Sequence, residues 1–344
     1  MCLICEGKLF EGLTELSVCN SVVTLPELPQ SLTHLNCSNC LEYLPELPKS
    51  LTNFDCSYCL LTTLPELPQS LTHFNCSYCP LLTTLPELPQ SLIHIDCHNC
   101  PLLTTLPELP QSLTHLYCYN CPLLITLPEL PQSLEVLYCS LCPLLTTLPE
   151  LPQSLTHLYC NNCPLLITIP ELPLSLGILY CSYCPLLQYL PELPQSLIRL
   201  YCDNCPLLTI LPKLPQSLTH LYCNNCPLLI TIPELPLSLG ILYCSYCPLL
   251  QYLPELPQSL IRLYCDNCPN LIFITESDEK HISPGLLKTI NSNYLKWRKE
   301  QTLKWFSSKT GLLYEDLVRK TWHPSRVVDW CWDTEEVKWF KSLK

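Results

Sequence analysis

The sequence predicts a repeat solenoid built on short parallel strands, and three observations predict it. The stretch LPELPQSLTHLYCNNCPLL at Leu148–Leu166 recurs in close copies that open at Leu25, Leu44, Leu64, Leu85, Leu106, Leu127, Leu148, Ile169, Leu190, Leu211, Ile232 and Leu253. The first two intervals are 19 and 20 residues and the later ones 21, a fixed period of the kind solenoids show. Within each copy one short run alternates apolar and polar residues, the period of a half-buried strand. A unit this small has too few inward side chains to offset the entropy of ordering its backbone, so copies must stack to bury a shared core.

Residues 1–24 carry one degenerate unit, LTELSVCNS from Leu13, in which Leu13, Leu16 and Val18 keep the inward spacing of the later copies. An atypical first unit suits the end of a stack, which must shield a core that has no neighbour. This segment is expected to be an N-terminal cap, followed by twelve repeats over 25–274 and a tail over 275–344.

In a full unit, with Leu155 as position 1, the apolar residues fall at positions 1, 4, 6, 9 and 12: Leu155, Leu158, Cys160, Cys163 and Leu166. Alternation at 4 and 6 makes HLY the strand, with Leu158 and Cys160 inward and positions 3 and 5 on the outer face. The other half, TTLPELPQS, has two prolines in PxxP spacing, which cannot continue a helix and suit an extended return segment.

The unit resembles the leucine-rich repeat pattern LxxLxLxx(N/C)xxL, with Cys in place of Leu at position 6 and Cys at position 9, where that family accepts Asn or Cys. Its LPxLPxSL half is similar to the short repeats of bacterial effector proteins delivered into host cells, although the present units are one residue longer. The resemblance implies a horseshoe with parallel strands on the concave face and thin, extended convex segments.

Leu151–Pro206 and Leu214–Pro269 are identical at an offset of 63 residues, three whole units. Insertion in multiples of the repeat preserves the core register, and identity over that length reads as a recent duplication.

Beyond Glu276 the pattern turns helical. Ser283 and Pro284 form an N-cap and first-turn pair before GLLKTINSNYLKWRKEQ, and further short segments follow His323-Pro324 and Asp333-Thr334. All six Trp lie in this tail. Trp322–Glu336, WHPSRVVDWCWDTEE, resembles a C-terminal motif of repeat proteins from giant DNA viruses that infect amoebae, which implies a virus-encoded protein acting in host cytoplasm. A helical end cap filled by the Trp side chains is the other reading of the same stretch.

Charge narrows the partners. The chain carries a net −12, and residues 1–274 hold 20 acids against 5 bases. Phosphate-backbone binding needs clustered Lys and Arg, so nucleic acid is not an expected partner. No apolar run is long enough to span a bilayer and the opening MCLICEGKLFEG lacks a signal-peptide pattern, so neither membrane nor secretory routing is expected.

Twenty-four of the 28 cysteines form twelve Cys-x-x-Cys pairs, one per repeat. Such pairs ordinarily suggest zinc. Here the register turns both thiols into the stack, where they are expected to pack as small apolar groups, so no metal or cofactor is assigned.

Effectors with similar repeats can carry a ubiquitin-ligase domain with a Cys-x-Asp motif, and Cys331-Trp332-Asp333 matches those letters. The tail is several times too short for that domain. No phosphate loop, nucleophile elbow or carboxylate pair appears, so no catalytic residue is assigned and the chain reads as a non-enzyme.

What is left for function is the concave strand face, where positions 3 and 5 point out of the core. Position 5 supplies eight consecutive tyrosines: Tyr117, Tyr138, Tyr159, Tyr180, Tyr201, Tyr222, Tyr243 and Tyr264. Position 3 adds His115, His157, Arg199, His220 and Arg262. Amphipathic rings flanked by cations are the contact surface enriched in interfaces, which points to a protein partner seated there, a host protein if the chain is viral. Two other readings remain: an assembly or spacer array whose tyrosines merely favour strands and stack when copied, and an adaptor whose tail recruits further machinery.

Overall fold

The computed structural model describes residues 12–271 apart from 20, 21, 23, 39 and 40. The helices expected after Glu276, Cys331 and the Trp-rich motif lie outside the described residues, as does Cys40.

Each repeat contributes one three-residue strand at the place the alternation marks. These are β1 (Glu15–Ser17), β2 (His34–Asn36), β3 (Asn53–Asp55), β4 (His73–Asn75), β5 (His94–Asp96), β6 (His115–Tyr117), β7 (Val136–Tyr138), β8 (His157–Tyr159), β9 (Ile178–Tyr180), β10 (Arg199–Tyr201), β11 (His220–Tyr222), β12 (Ile241–Tyr243) and β13 (Arg262–Tyr264). They form one parallel sheet in sequence order, with like positions paired, as in Leu158 with Leu179 and Tyr159 with Tyr180.

Thirteen strands form where twelve full repeats would supply twelve, because the degenerate unit also pairs: Glu15, Leu16 and Ser17 lie in register with His34, Leu35 and Asn36. Leu16 and Val18 are buried as their spacing requires, whereas Leu13 is only half-buried, having no preceding repeat described against it.

The core is the column set read from the sequence. In the central repeat Leu155, Leu158, Cys160, Cys163 and Leu166 are all fully buried. The PxxP segments form no helix: each runs extended into a tight turn that ends on Ser, preceded by Gln in nine repeats, Lys49 in one and Leu174 and Leu237 in two. The Ser of that turn has a defined task. From Ser31 to Ser259, the hydroxyl in each of twelve turns donates to the position-1 carbonyl of the preceding repeat at 2.6–2.7 Å. Outside the first turn these bonds are part-buried, and a hydrogen bond of this kind contributes about 0.5–1.5 kcal/mol, so the invariance of Ser among the copies has a direct physical reason.

The two cysteines of a pair play unequal parts. In eleven successive repeats the position-9 thiol donates to the carbonyl of the position-6 cysteine one repeat back, at 3.1–3.5 Å. The thiols thus do more than pack as apolar groups, because they also satisfy backbone carbonyls that no backbone N–H among the described residues reaches. Apart from Cys19 and Cys37, the cysteines described are free thiols.

Between the two cysteines the chain reverses hand. Position 8 has positive φ in eleven repeats, between 52° and 59°, and is Asn in six of them, Tyr at 58, 78, 183 and 246, and Leu at 141. Asn tolerates this left-handed conformation better than most side chains, whereas Tyr and Leu enter it at a cost.

Candidate functional site

The outer strand face is built by the same alternation that makes the core: the middle residue of every strand is buried, and the two flanking residues stand on the opposite side. This places position 5 in one column. All seven successive tyrosine pairs from Tyr117 to Tyr264 are in ring contact. Tyr138 and Tyr159 stack at 3.8 Å, and Tyr201, Tyr222, Tyr243 and Tyr264 follow at 4.6, 4.6 and 4.4 Å. Tyr159 and Tyr180 break the stack with an edge-on contact at 6.2 Å.

Burial in this row pushes the Tyr138 phenol well above the usual range, and a hydrogen bond with Tyr159 adds to the shift. Tyr180 is raised by burial and then by the Asp203 carboxylate. These hydroxyls stay protonated across the physiological range and present donors and acceptors to whatever lies on the face.

The position-3 column sits beside them. His115, His157 and His220 each lie within 2.7–2.8 Å of the hydroxyl of the preceding Thr through Nδ1. That hydroxyl also donates to a carbonyl of the preceding repeat, at 3.1 Å for Thr114, 2.9 Å for Thr156 and 3.1 Å for Thr219. With its single proton committed, the hydroxyl accepts from Nδ1–H, and this assigns the tautomer in which Nε2 is left as an acceptor. His220 is held below the ordinary imidazole range by burial and then by the charge of Arg199. Arg199 and Arg262 are exposed at the starts of β10 and β13.

All thirteen residues that the sequence marks out as a partner surface therefore share one face. In the first five strands the same two columns are polar. A shallow depression there is lined by Glu15, Ser17, His34, Asn53, Asp55 and His73 among others. The alternation that turns Tyr159 out of the core turns these residues out as well, but they lack the contact area of the tyrosines.

His98 was also missed. It takes a position filled by Ser in several other copies, is buried, bonds through Nδ1 to Asp96 Oδ1, and stacks on Tyr119 at 4.3 Å.

At the far end of the strands, position 7 forms a polar ladder. Asp203 Oδ1 accepts from the backbone N–H and side-chain amide of Asn224 at 2.8 and 2.9 Å, and Asn224 Oδ1 accepts from Ser245 N–H at 2.9 Å. Burial raises the Asp203 carboxyl in spite of these donors.

Burial holds the thiols of the central repeats in their protonated form. Burial pushes Cys142 and Cys184 up to about 11, and Cys139 and Cys160 well above the thiol range, so the thiolate form that binds metals is disfavoured. Among the described residues no three His, Cys, Asp or Glu side chains converge as ligands. No helix among them is long and apolar enough to cross a membrane.

Comparison with known proteins agrees with this geometry. A family model described as Leucine Rich Repeat matches residues 70–92. The leucine-rich effector protein YopM from Yersinia pestis is similar in structure with a TM-score of 0.61 and 34% sequence identity, over 79% of this chain and 88% of that one. YopM from Yersinia enterocolitica gives a TM-score of 0.50 at 28% identity over 79% and 80% of the two chains. The functional domain of InlJ from Listeria monocytogenes, which includes a cysteine ladder, gives 0.55 at 22% identity over 79% and 62%, a likeness of fold. No curated protein matches the chain.

Proposed function

Because the chain belongs to the leucine-rich repeat family, whose fold is typical of protein–protein interaction modules, we propose that it is a non-enzymatic module that binds a protein partner on the exposed strand face of β6–β13. The observation that carries this reading is the run of eight consecutive tyrosines from Tyr117 to Tyr264, in which each ring is half-buried by its neighbours or exposed. Such rings are already ordered before a partner arrives, so binding forfeits little side-chain entropy. His115, His157, Arg199, His220 and Arg262 edge the row with polar groups that fix orientation.

The likeness of the repeats to bacterial effector proteins, and of Trp322–Glu336 to a giant-virus motif, supports a host protein as the partner and host cytoplasm as the place of action. Replacing Tyr159, Tyr180 and Tyr201 together with Ser is expected to leave the far-ultraviolet spectrum unchanged and abolish capture of the partner from host-cell lysate. Unchanged capture by the folded variant refutes the reading.

A further inference from the structure

Charge is distributed along the solenoid in a way the repeat alone does not require. The PEL segments place an exposed Glu in eleven repeats from Glu27 to Glu255, interrupted only by Lys213. The strand face is acidic at its start, with Glu15, Asp55 and Asp96 on β1, β3 and β5. Over β8–β13, by contrast, positions 2, 3 and 5 carry Arg199, Arg262, His157 and His220 and no carboxylate.

Both guanidinium groups are exposed, and the ion pair found among the described residues, His98 with Asp96, involves neither. Their charge reaches the rings beside them: Arg199 adds to the lowering of His220 by burial, and Arg262 opposes the upward push of burial on Tyr222. Asp203 and Asp266, the carboxylates in this stretch nearest in sequence, stand at the other end of the strands. Asp203 is engaged by Asn224, and the Asp266 backbone bonds to Ser245.

We propose that this part of the face takes an extended acidic peptide laid across the strands, with one carboxylate on Arg199 and a second, four residues along, on Arg262. The inference rests on the reading of this face as a protein-binding surface and names the chemistry of its partner.

The spacing argues for it. Arg199 and Arg262 occupy the same position on strands three steps apart, which sets them roughly 14 Å apart at the ordinary strand spacing. In an extended chain, residues i and i+4 point the same way and lie about 13–14 Å apart. A helix would need about nine residues for that span, and i, i+2 in a strand covers only about 7 Å.

Between the arginines, the stacked rings of Tyr201, Tyr222, Tyr243 and Tyr264 form a continuous wall against which the peptide's other side chains rest. Guanidinium groups meet carboxylates through two parallel N–H···O bonds, which makes the two contacts directional as well as attractive. The carboxylates of Asp203 and Asp266 repel an acidic chain from the far end of the strands and hold its path near position 3.

The test is fluorescence anisotropy of the full chain with labelled Thr/Val peptides carrying Glu at i and i+4. Saturable binding is expected at low salt, weakened about tenfold or more by Arg199→Gln, by Arg262→Gln, and by moving the second Glu to i+2. A Lys version should not bind. The proposal is overturned if the i, i+4 peptide fails to bind, if affinity ignores the spacing, or if both folded Arg variants bind normally. Preference for a single-stranded oligonucleotide over the peptide overturns it also, as does Arg-dependent self-association of the chain in sedimentation. Should the peptide fail while the Tyr159, Tyr180 and Tyr201 substitutions still abolish partner capture, the binding face stands and the acidic-peptide assignment falls.

Discussion

Alanine at the two cysteines of one central repeat should have unequal effects. Cys139 and Cys142 are both fully buried. Removing either sulfur forfeits the burial of about one methylene-sized group, on the order of 1 kcal/mol, with a modest cavity term added. The two then diverge. The Cys139 thiol approaches the Tyr159 carbonyl at 3.5 Å, but that oxygen already accepts the Cys139 backbone N–H at 2.8 Å, so Cys139→Ala leaves nothing unpaired. The Cys142 thiol donates to the Cys118 carbonyl at 3.4 Å, and no backbone N–H among the described residues reaches that oxygen. Cys142→Ala therefore adds the cost of a buried, unsatisfied carbonyl, about 1–3 kcal/mol. The expected losses are about 1–1.5 kcal/mol for Cys139→Ala and about 2–4 kcal/mol for Cys142→Ala. Urea denaturation of the full chain under reducing conditions separates them, since a difference of about 1.5 kcal/mol moves the midpoint by roughly 0.5 M at a slope of about 3 kcal/mol/M. Cys142→Ser retains a donor and should recover part of the loss. Equal losses for the two alanine variants, or a serine no better than alanine, would refute the assignment of the thiol as the carbonyl's donor.

Two further outcomes follow from the geometry. His94 is held below the ordinary imidazole range by burial and then by His115, so the unfolded chain takes up its proton first as pH falls. Its contribution to stability is full above about pH 6.5 and is lost as pH drops toward the lowered folded value, so the urea midpoint of the parent should fall more between pH 7.5 and 5 than that of His94→Asn, which places there the residue Asn53 supplies in register. Leu141, at φ 58°, tests the left-handed position: Leu141→Val should destabilise by about 1 kcal/mol or more, while Leu141→Asn should be tolerated, and a thermal melt in which valine is the better of the two would refute the reading.

The core was legible because every inward position is written twelve times, and a period repeated that often leaves one register open. Tyr117 to Tyr264 were legible for the same reason: once Leu158 and Cys160 turn inward, Tyr159 can only face out. Other features depend on where carbonyl groups fall in a neighbouring repeat, which no side-chain pattern records. Ser154 reads as a turn residue until the Leu134 carbonyl is found 2.6 Å from its hydroxyl. Cys142 reads as apolar filling until the Cys118 oxygen appears beside it. The left-handed residue was hidden by Tyr58, Tyr78, Tyr183, Tyr246 and Leu141, types that seldom occupy that conformation, although Asn in the other six copies carried the signal. The first unit was legible from Leu16 and Val18, but its strand was not, because no PxxP segment precedes it.

The ladders described above also determine how the molecule bears a load. Ser154 reaches back to Leu134, Cys142 reaches back to Cys118, and the Cys139 N–H reaches forward to Tyr159, so these bonds join one repeat to the next and run along the stacking direction. Tension applied along that direction loads the interfaces in series, each carrying the whole force, and the weakest gives way first. One repeat that peels off exchanges a rise of about 4.8 Å for a free contour of roughly 70 Å, so the chain lengthens in discrete steps while the remaining stack keeps its form.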